Sequence, residues 1–328
     1  MQKITSFAKT HETIIQLVVI TLIVFLAMSW ASPRFLRYYN FESIAFIAPE
    51  LGIISIAMMI AMLTGGIDLS VVGIANLSGI LAGVFFLKIM PSAPDAGLAY
   101  AAIRLTLAVL IAMATGLLAG VLNGLLISRL KITPILATLG TGQLFTGFAV
   151  VLTGGPAIVG FPAGWGFIGN GKLLGLPVPL LVFVVVALLI AFMLSRTSFG
   201  VKLMLIGTNP KAAVFAGLRN ARMILFSYML SGVLASMAGI LLSGRTNAAK
   251  SDYGTSYLLQ AVLVSVLGGT NPAGGRGSVL GVTIAVIALM LLSSGFQILR
   301  FSNHLIDFIW GAFLIAVIAL NAYRARRR

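Results

Sequence analysis

Cysteine is absent from the 328 residues, which excludes disulfide stapling and cysteine nucleophiles. Histidine is nearly absent: only His11 and His304 occur, neither near a carboxylate at a metal-ligand spacing, so polar roles near helix ends suit both and no metal site is read. Acid is scarce too, with seven Asp plus Glu against 22 Lys plus Arg, and charged residues make up 9% of the chain. A soluble domain carries about 25%. The chain has no Walker lysine motif, no HExxH, and no serine, histidine and carboxylate set that can be argued into proximity. Chemistry on this polypeptide itself is not expected, and no cofactor is expected to bind it.

What the chain has in quantity is apolar length. Hydrophobic residues make up 59%, with 36 Gly suited to close helix packing and 13 Met suited to adaptable apolar contacts. The apolar runs approach the ~20 residues that cross hydrocarbon as helix, and short alternating stretches are too few for a barrel. The expected fold is therefore all-α, a polytopic integral membrane protein with about ten transmembrane helices, some short or broken, forming a single domain over residues 1–328. The spans read as Ile14–Ala31, Ile44–Leu63, Val71–Ile89, Ala99–Ile127, Pro134–Leu152, Pro179–Leu194, Met223–Leu242, Leu258–Leu267, Val279–Leu292 and Leu305–Leu320. Pro91 and Pro94 close the third, and Pro49 with Glu50 inside the second predicts a kink or local break. The N-terminal MQKITSFAKTHE lacks a small-residue cleavage signature, so the first span reads as retained. SGVLASMAG in the seventh allows another helix to approach closely.

The net charge of +15 raises a nucleic-acid partner, but the cations stand at the ends of apolar runs and not in a dense patch, so none is expected. With ten crossings and a cytosolic start, 14 of the 22 basic residues fall on the cytosolic side and 8 outside, which places both termini and the central loop inside. That loop, residues 195–222, holds Arg196, Lys202, Lys211, Arg219 and Arg222 and no acid. Within it Asn209 can cap a helix, Pro210 fits the first helical position, and Gly217 fits the position just past the end. Lys211, Val214, Phe215 and Leu218 share one face, while Ala212, Ala213 and Ala216 keep the remainder slim. A helix of two turns is marginal alone in water. It either rests on lipid headgroups or docks in a partner's groove.

Asp68 is the most informative charge. The segment LTGGIDLS combines Gly65 and Gly66, which permit an unusual backbone, with a carboxylate that costs about 2.5–3.5 kcal/mol at mid-membrane. Together with Ser70 in this motif, it reads as an anchor for a broken helix, bonded to backbone donors, or as part of a solute or proton path. Glu50 either faces a path or satisfies amides freed by Pro49; Asp307 sits near a helix start, where the dipole favours it. Asn76 and Asn123 can hydrogen-bond between helices. Asp252 and Tyr253 fall in an external re-entry region, and Trp165 and Phe167 in the Gly- and Pro-rich connection suit headgroup depth. Leu63-Thr64-Gly65-Gly66 is echoed by Leu267-Gly268-Gly269 on the same side, as a parallel duplication would produce.

TGGIDLSVVG at 64–73, NGLLISRLKITPILATLG at 123–140, TSFGVKLMLIGTNPKAAVFAGL at 197–218 and VLGGTNPAGGRGSVLG at 266–281, in that order, resemble the permease subunit of ribose-type simple-sugar ABC importers. That family also includes rhamnose, xylose, arabinose, galactose and autoinducer-2 permeases. The resemblance runs from about Glu50 to the C-terminus. It implies a bacterial inner-membrane assembly of two permease subunits, identical or sister chains, with two cytosolic ATPase subunits that hold ATP and Mg and a periplasmic sugar-binding protein. Asn209, Pro210, Lys211, Ala212, Ala213, Val214, Phe215 and Gly217 look like the family's coupling helix. Two positions depart from the common pattern: Val201 stands where many relatives carry Arg, and Gln260 where an acid is frequent. The rival reading is an ion-coupled secondary transporter of a small polar solute, with Asp68, Glu50 and Asp307 as ion groups.

Overall fold

The computed structural model describes residues 2–92 and 97–326; Pro94, Arg327 and Arg328 lie outside them. Thirteen helices occur among the described residues: α1 Gln2–Ala31, α2 Tyr38–Leu63, α3 Val71–Val84, α4 Leu98–Ser128, α5 Pro134–Thr153, α6 Ala163–Asn170, α7 Val178–Arg196, α8 Ser198–Thr208, α9 Pro210–Phe215, α10 Asn220–Thr246, α11 Ser256–Leu267, α12 Val279–Ile298 and α13 Asn303–Arg326. The ten expected spans correspond to α1–α5, α7 and α10–α13. Eight helices are long and apolar enough to cross a bilayer, and the chain is a polytopic all-α membrane protein. A 3-10 turn at Pro33–Leu36, a π turn at Phe85–Ile89 and two antiparallel ladders of two residues each, Ile158–Val159 on Ala248–Ala249 and Lys172–Leu173 on Leu176–Pro177, complete the secondary structure of the described residues.

Two helices form the centre. Every residue of α2 from Ala48 to Leu63 is buried, as is nearly all of α3, which continues through a π turn at Phe85–Ile89. Helices apolar all round belong in an interior. The outer helices instead show apolar residues on one face, such as Ile15, Leu22 and Leu26 of α1 and Leu188 and Phe192 of α7. The expected break at Pro49 does not occur: α2 runs unbroken from Tyr38 to Leu63. Packing on all sides holds the turn whose hydrogen bond the proline removes.

α4 and α10 cross in antiparallel contact through glycine. A methyl group at Gly116 would overlap the Gly232 carbonyl, one at Gly120 would overlap the Tyr228 carbonyl, and Gly124 lies against Leu225. Farther along α10, Gly239 meets the Ala75 carbonyl of α3. Small residues at four-residue spacing let backbones approach without intervening side chains.

Beyond Thr246 the chain turns back into the bundle. Asn247 adopts a left-handed conformation (φ +50°), Ala248–Ala249 form their ladder, and the following turn brings the Ser251 and Tyr253 carbonyls to Asn76 on α3. α11 therefore starts partway down the bundle, with Tyr257 beside Glu50, twelve residues into α2. Its 12 residues span about 18 Å, short of the ~30 Å core. The shortness of the eighth span has this physical origin.

α2 and α11 end in the same way. Gly65 N–H bonds the Met62 carbonyl at 2.9 Å and Gly66 N–H that of Ala61 at 3.3 Å; Gly269 and Thr270 repeat the pattern on Val266 and Ser265 at 3.1 and 3.0 Å. These are Schellman ends with a left-handed glycine at Gly65 (φ +81°) and Gly269 (φ +87°). The two breaks share one end of the bundle and touch, since Gly275 N–H donates to the Leu63 carbonyl at 3.0 Å.

Replacing Gly232 by Ala should force α4 and α10 apart and cost about 1–3 kcal/mol. Gly147→Ala on α5, where an added methyl meets nothing within 4 Å, should be neutral. Thermal unfolding midpoints of the two variants in detergent check this; equal midpoints would show that the close crossing does not limit stability.

Candidate functional site

Three features stand out: a carboxylate knot at Asp68, an ion pair at Glu50, and an exposed helix at one end. The knot is fully buried. Asp68 Oδ1 accepts from the Ser70 amide at 3.1 Å and the Ser70 hydroxyl at 2.6 Å, and Oδ2 accepts from the Ser231 hydroxyl of α10 at 2.7 Å. Ser70 Oγ in turn accepts from Asn123 Nδ2 of α4 at 2.7 Å, and Asn123 Oδ1 accepts from the Thr141 hydroxyl of α5 at 2.5 Å. Thr138 accepts the Leu69 amide at 3.0 Å. The 64–70 loop is thus tied to α4, α5 and α10 at once. A methyl at Gly66 would overlap the Tyr228 hydroxyl, so this turn admits only glycine. Both oxygens of Asp68 thus have hydrogen-bond partners despite full burial.

Glu50 is buried at 0% exposure and makes a bidentate pair with Arg245 of α10, at 2.5 and 3.0 Å, while the Tyr257 hydroxyl donates to Glu50 Oε2 at 3.2 Å. The expectation that Glu50 satisfies amides freed by Pro49 does not hold, because a helix proline frees a carbonyl, which cannot donate to a carboxylate. α10 extends past Leu242 to Thr246 and so brings Arg245 against α2. Arg104 is buried and caps the end of the third span through the Phe86 and Met90 carbonyls at 3.0 and 2.6 Å. Outside the spans, Lys172 pairs with Glu42, and the hydrogen bond to that carboxylate raises the lysine above its usual pKa.

Asn209 caps α9 by accepting the Ala212 amide at 3.0 Å, Pro210 takes the first helical position, and Gly217 (φ +78°) closes a third Schellman end. Ala213 is buried against the bundle, whereas Lys211 and Ala212 are exposed, Val214 is 58% exposed and Phe215 92% exposed. The first turn of α9 is fastened as well by Asn220 Nδ2, which donates to the Pro210 carbonyl at 2.8 Å. α8, which sequence reasoning absorbed into a loop, packs beneath it: a methyl at Gly207 would overlap the Leu63 carbonyl where the two glycine breaks meet.

The remaining sequence candidates are spread out. Asn76 donates to the Ser251 and Tyr253 carbonyls at 2.9 Å each, holding the returning turn. A methyl at Gly268 would overlap the Val282 amide of α12. Asp307 is exposed early in α13, apart from both buried carboxylates, and Asp252 pairs with Lys250 at 2.8 Å. Sequence reasoning missed Ser231, Thr138, Thr141, Arg245 and Tyr257. Ser231 and Arg245 carry one signal, a fourteen-residue separation that puts them on nearly the same face of one long helix.

Residues 40–318, from the first turn of α2 to α13, match the family described as branched-chain amino acid transport system / permease component. The chain belongs to this permease family. Among relatives, an autoinducer 2 import system permease protein LsrD from Photorhabdus temperata is 36% identical over 296 residues, covering 88% of this chain and 84% of the relative. The LsrD of Yersinia enterocolitica is 35% identical over 274 residues, covering 82% and 79%. The ribose import permease protein RbsC of Bacillus subtilis is 33% identical over 301 residues, covering 91% and 89%. No solved structure matches the chain.

The permease's two carboxylates call for different tests. Arg245→Leu leaves Glu50 buried and unpaired and should cost about 3–5 kcal/mol, whereas Glu50→Gln combined with Arg245→Met should cost much less. Asp68→Asn should keep more folded protein than Asp68→Leu, which strands the Ser70 and Ser231 donors at about 1–3 kcal/mol. Monodisperse yield from gel filtration reads all four; equal yields for Asn and Leu at position 68 would remove its anchoring role.

Proposed function

We propose that this permease is the membrane-spanning subunit of an ATP-driven importer for a monosaccharide or a similar small polyol. The observation that carries the reading is α9. It is capped at one end, closed by a Schellman turn at the other, seated through Ala213, and yet presents Phe215 almost wholly to solvent. A helix of six residues held this firmly with its largest apolar side chain uncovered fits an anchor for a partner's groove better than a lipid contact, since it lies amid Lys202, Lys211, Arg219 and Arg222. The partner is a cytosolic ATPase, two per assembly, and ATP and Mg bind there. The solute class follows the relatives, which are named for ribose and autoinducer 2 import.

The assembly pairs two permeases, identical or sister chains, in the bacterial inner membrane, with both termini and α9 in the cytosol and a binding protein delivering solute on the other side. ATP binding draws the ATPases together and moves α9 and α8, and the bundle exchanges outward-facing for inward-facing states. The ion-coupled alternative has less support, because Glu50 is already neutralised by Arg245 and Asp68 already accepts three hydrogen bonds.

Phe215→Asp should accumulate in the membrane like the parent chain yet bind the ATPase at least ~30-fold more weakly and lose ATP hydrolysis stimulated by loaded binding protein. Lys211→Ala, at the edge, should have a mild effect. Copurification in mild detergent and ATPase assays read both; unchanged affinity and transport in Phe215→Asp would dismiss α9 as the coupling contact, and solute uptake by the permease alone without ATP would sink the importer. For sidedness, a cysteine at Lys202 in this cysteine-free chain should resist an impermeant thiol reagent from the periplasm, and one at Lys172 should react. The reverse labelling pattern would invert the topology.

A further inference from the structure

At the end of the bundle opposite α9, the first turns of α2, α11 and α13 and the last turns of α12 surround a cleft of about 330 Å³. Its wall is polar to a degree unusual among spanning helices: Asn40, Ser43, Ser256, Gln260, Ser293 and Gln297 all contribute. Ser294 Oγ donates to Asn40 Oδ1, and Asn40 Nδ2 to the Phe35 carbonyl at 2.8 Å, so those groups are occupied. Gln260 is not. Its side chain is 6% exposed, and its Oε1 is buried without a hydrogen-bond partner. A buried amide oxygen left open costs about 1–3 kcal/mol, and a site where it stays open is one where something else supplies the donor.

The charges around this space restrict what that can be. Tyr257 stands in the wall with its hydroxyl turned to Glu50, and Glu50 is paired with Arg245, so the nearest buried charge is already balanced. Among the described residues Asp307 is the one charged side chain in the lining, and it is exposed. None of them brings a cation to the cleft to hold a phosphate or carboxylate. The volume falls at the small end of ligand pockets, ~300–1,000 Å³, which suits one sugar ring and not a chain of them. Hydroxyl and amide groups from α2, α11 and α12, with the Tyr257 ring beside them, match a solute that offers hydroxyl donors and acceptors around an apolar carbon frame.

We propose that the cleft between α2, α11, α12 and α13 is a binding site within the permease for a neutral, polyhydroxylated solute, with the Gln260 amide in direct contact with it. The site rests on the importer reading and deepens it. Gln260 lies one turn beyond Tyr257, where α11 begins partway down the bundle, so it forms the inner wall of a cleft that reaches to the first turn of α2 at Asn40. The returning turn at Ser251–Tyr253 is what lowers α11 to this depth.

Labelling in the cysteine-free chain, reconstituted in liposomes, tests the site without requiring transport. Gln260→Cys and Ser293→Cys should react with a small water-soluble methanethiosulfonate, and D-ribose, D-xylose, D-galactose or L-rhamnose, each at saturating concentration, should include at least one that slows the reaction about fivefold or more. Ser265→Cys, two turns along α11 in a position bonded to the Ser55 carbonyl at 2.9 Å, should stay unreactive. If Gln260→Cys and Ser293→Cys react no faster than Ser265→Cys, a second subunit or packed helices cover the cleft and the proposal fails. Labelling that none of the four sugars slows also overturns it. In the assembled importer, Gln260→Leu should lower uptake of the protecting sugar about tenfold while retaining the ATPase, and Gln260→Asn should recover part of the loss. Unchanged uptake in Gln260→Leu, or a loss accompanied by loss of the ATPase, counts against direct contact. Retention of the ATPase by the unsubstituted chain tests the importer reading separately, so the two failures are told apart.

Discussion

The approach of α4 to α10 through Gly116, Gly120 and Gly232 fixes the position of almost everything else. Inside hydrocarbon no water is available to reward helix association, so close backbone contact and hydrogen bonds must do it. With α4 drawn onto it, α10 becomes the pillar of the bundle and faces α2 and α3 with its other side. That side carries Ser231 and Arg245, the partners of the two buried carboxylates. A displacement of α10 by the width of one methyl group would loosen the knot at Asp68 and the pair at Glu50 together.

The two carboxylates are stabilised by different means, for a physical reason. Glu50 emerges from a regular helix, where every amide of its own turn is already engaged, so only another side chain can reach it; a bidentate guanidinium and a phenol do so. Asp68 sits in a break, where backbone amides are free, and it collects Ser70 N–H along with two hydroxyls. The break therefore supplies part of the solvation that the membrane withholds. Charge is compensated at Glu50 by a countercharge and at Asp68 by dipoles.

Helix positions were legible because they depend on local sequence. Apolar runs, Pro134 at a helix start, and Asn209 with Pro210 and Gly217 around α9 act within a few residues, and all appear in the structure where they were read. The anchoring partners of Asp68 were legible only in kind. Ser70 is two residues away, but Ser231 is 163 residues away, and one serine on an apolar helix carries no mark of its neighbour. The pairing of Arg245 with Glu50 was not legible, because a cation near the end of an apolar run is ordinarily at a membrane surface. Hydropathy does not report that α10 overshoots and that the chain then folds back, nor could it separate α8 from the loop. The departure at Gln260 was visible as a residue type, yet its significance depends on an unpaired oxygen facing three other helices.

Geometry also joins the two ends of the bundle. α8 meets the Leu63 carbonyl through Gly207 with no side chain between them, and Gly275 hydrogen-bonds that same carbonyl, so α8 bears at one point on the end of α2 and on the loop that follows α11. A contact of backbone on backbone has nothing compressible in it, and a shift of α8 must be taken up by the elements it touches. α2 and α11 lead away from that point side by side, with Ser265 on the Ser55 carbonyl and Tyr257 on Glu50, and neither is broken along the way. From Leu63 to Glu50 is about 20 Å of helix. At the far end of those paired rods stand Gln260 and the wall of the polar cleft. The Schellman turns that end both helices are the points where the rods can pivot, because their left-handed glycines accept changes in backbone angle that a residue with a side chain resists. A push at the exposed helix and a change in the shape of the cleft are thus connected by two rigid elements and two glycine hinges.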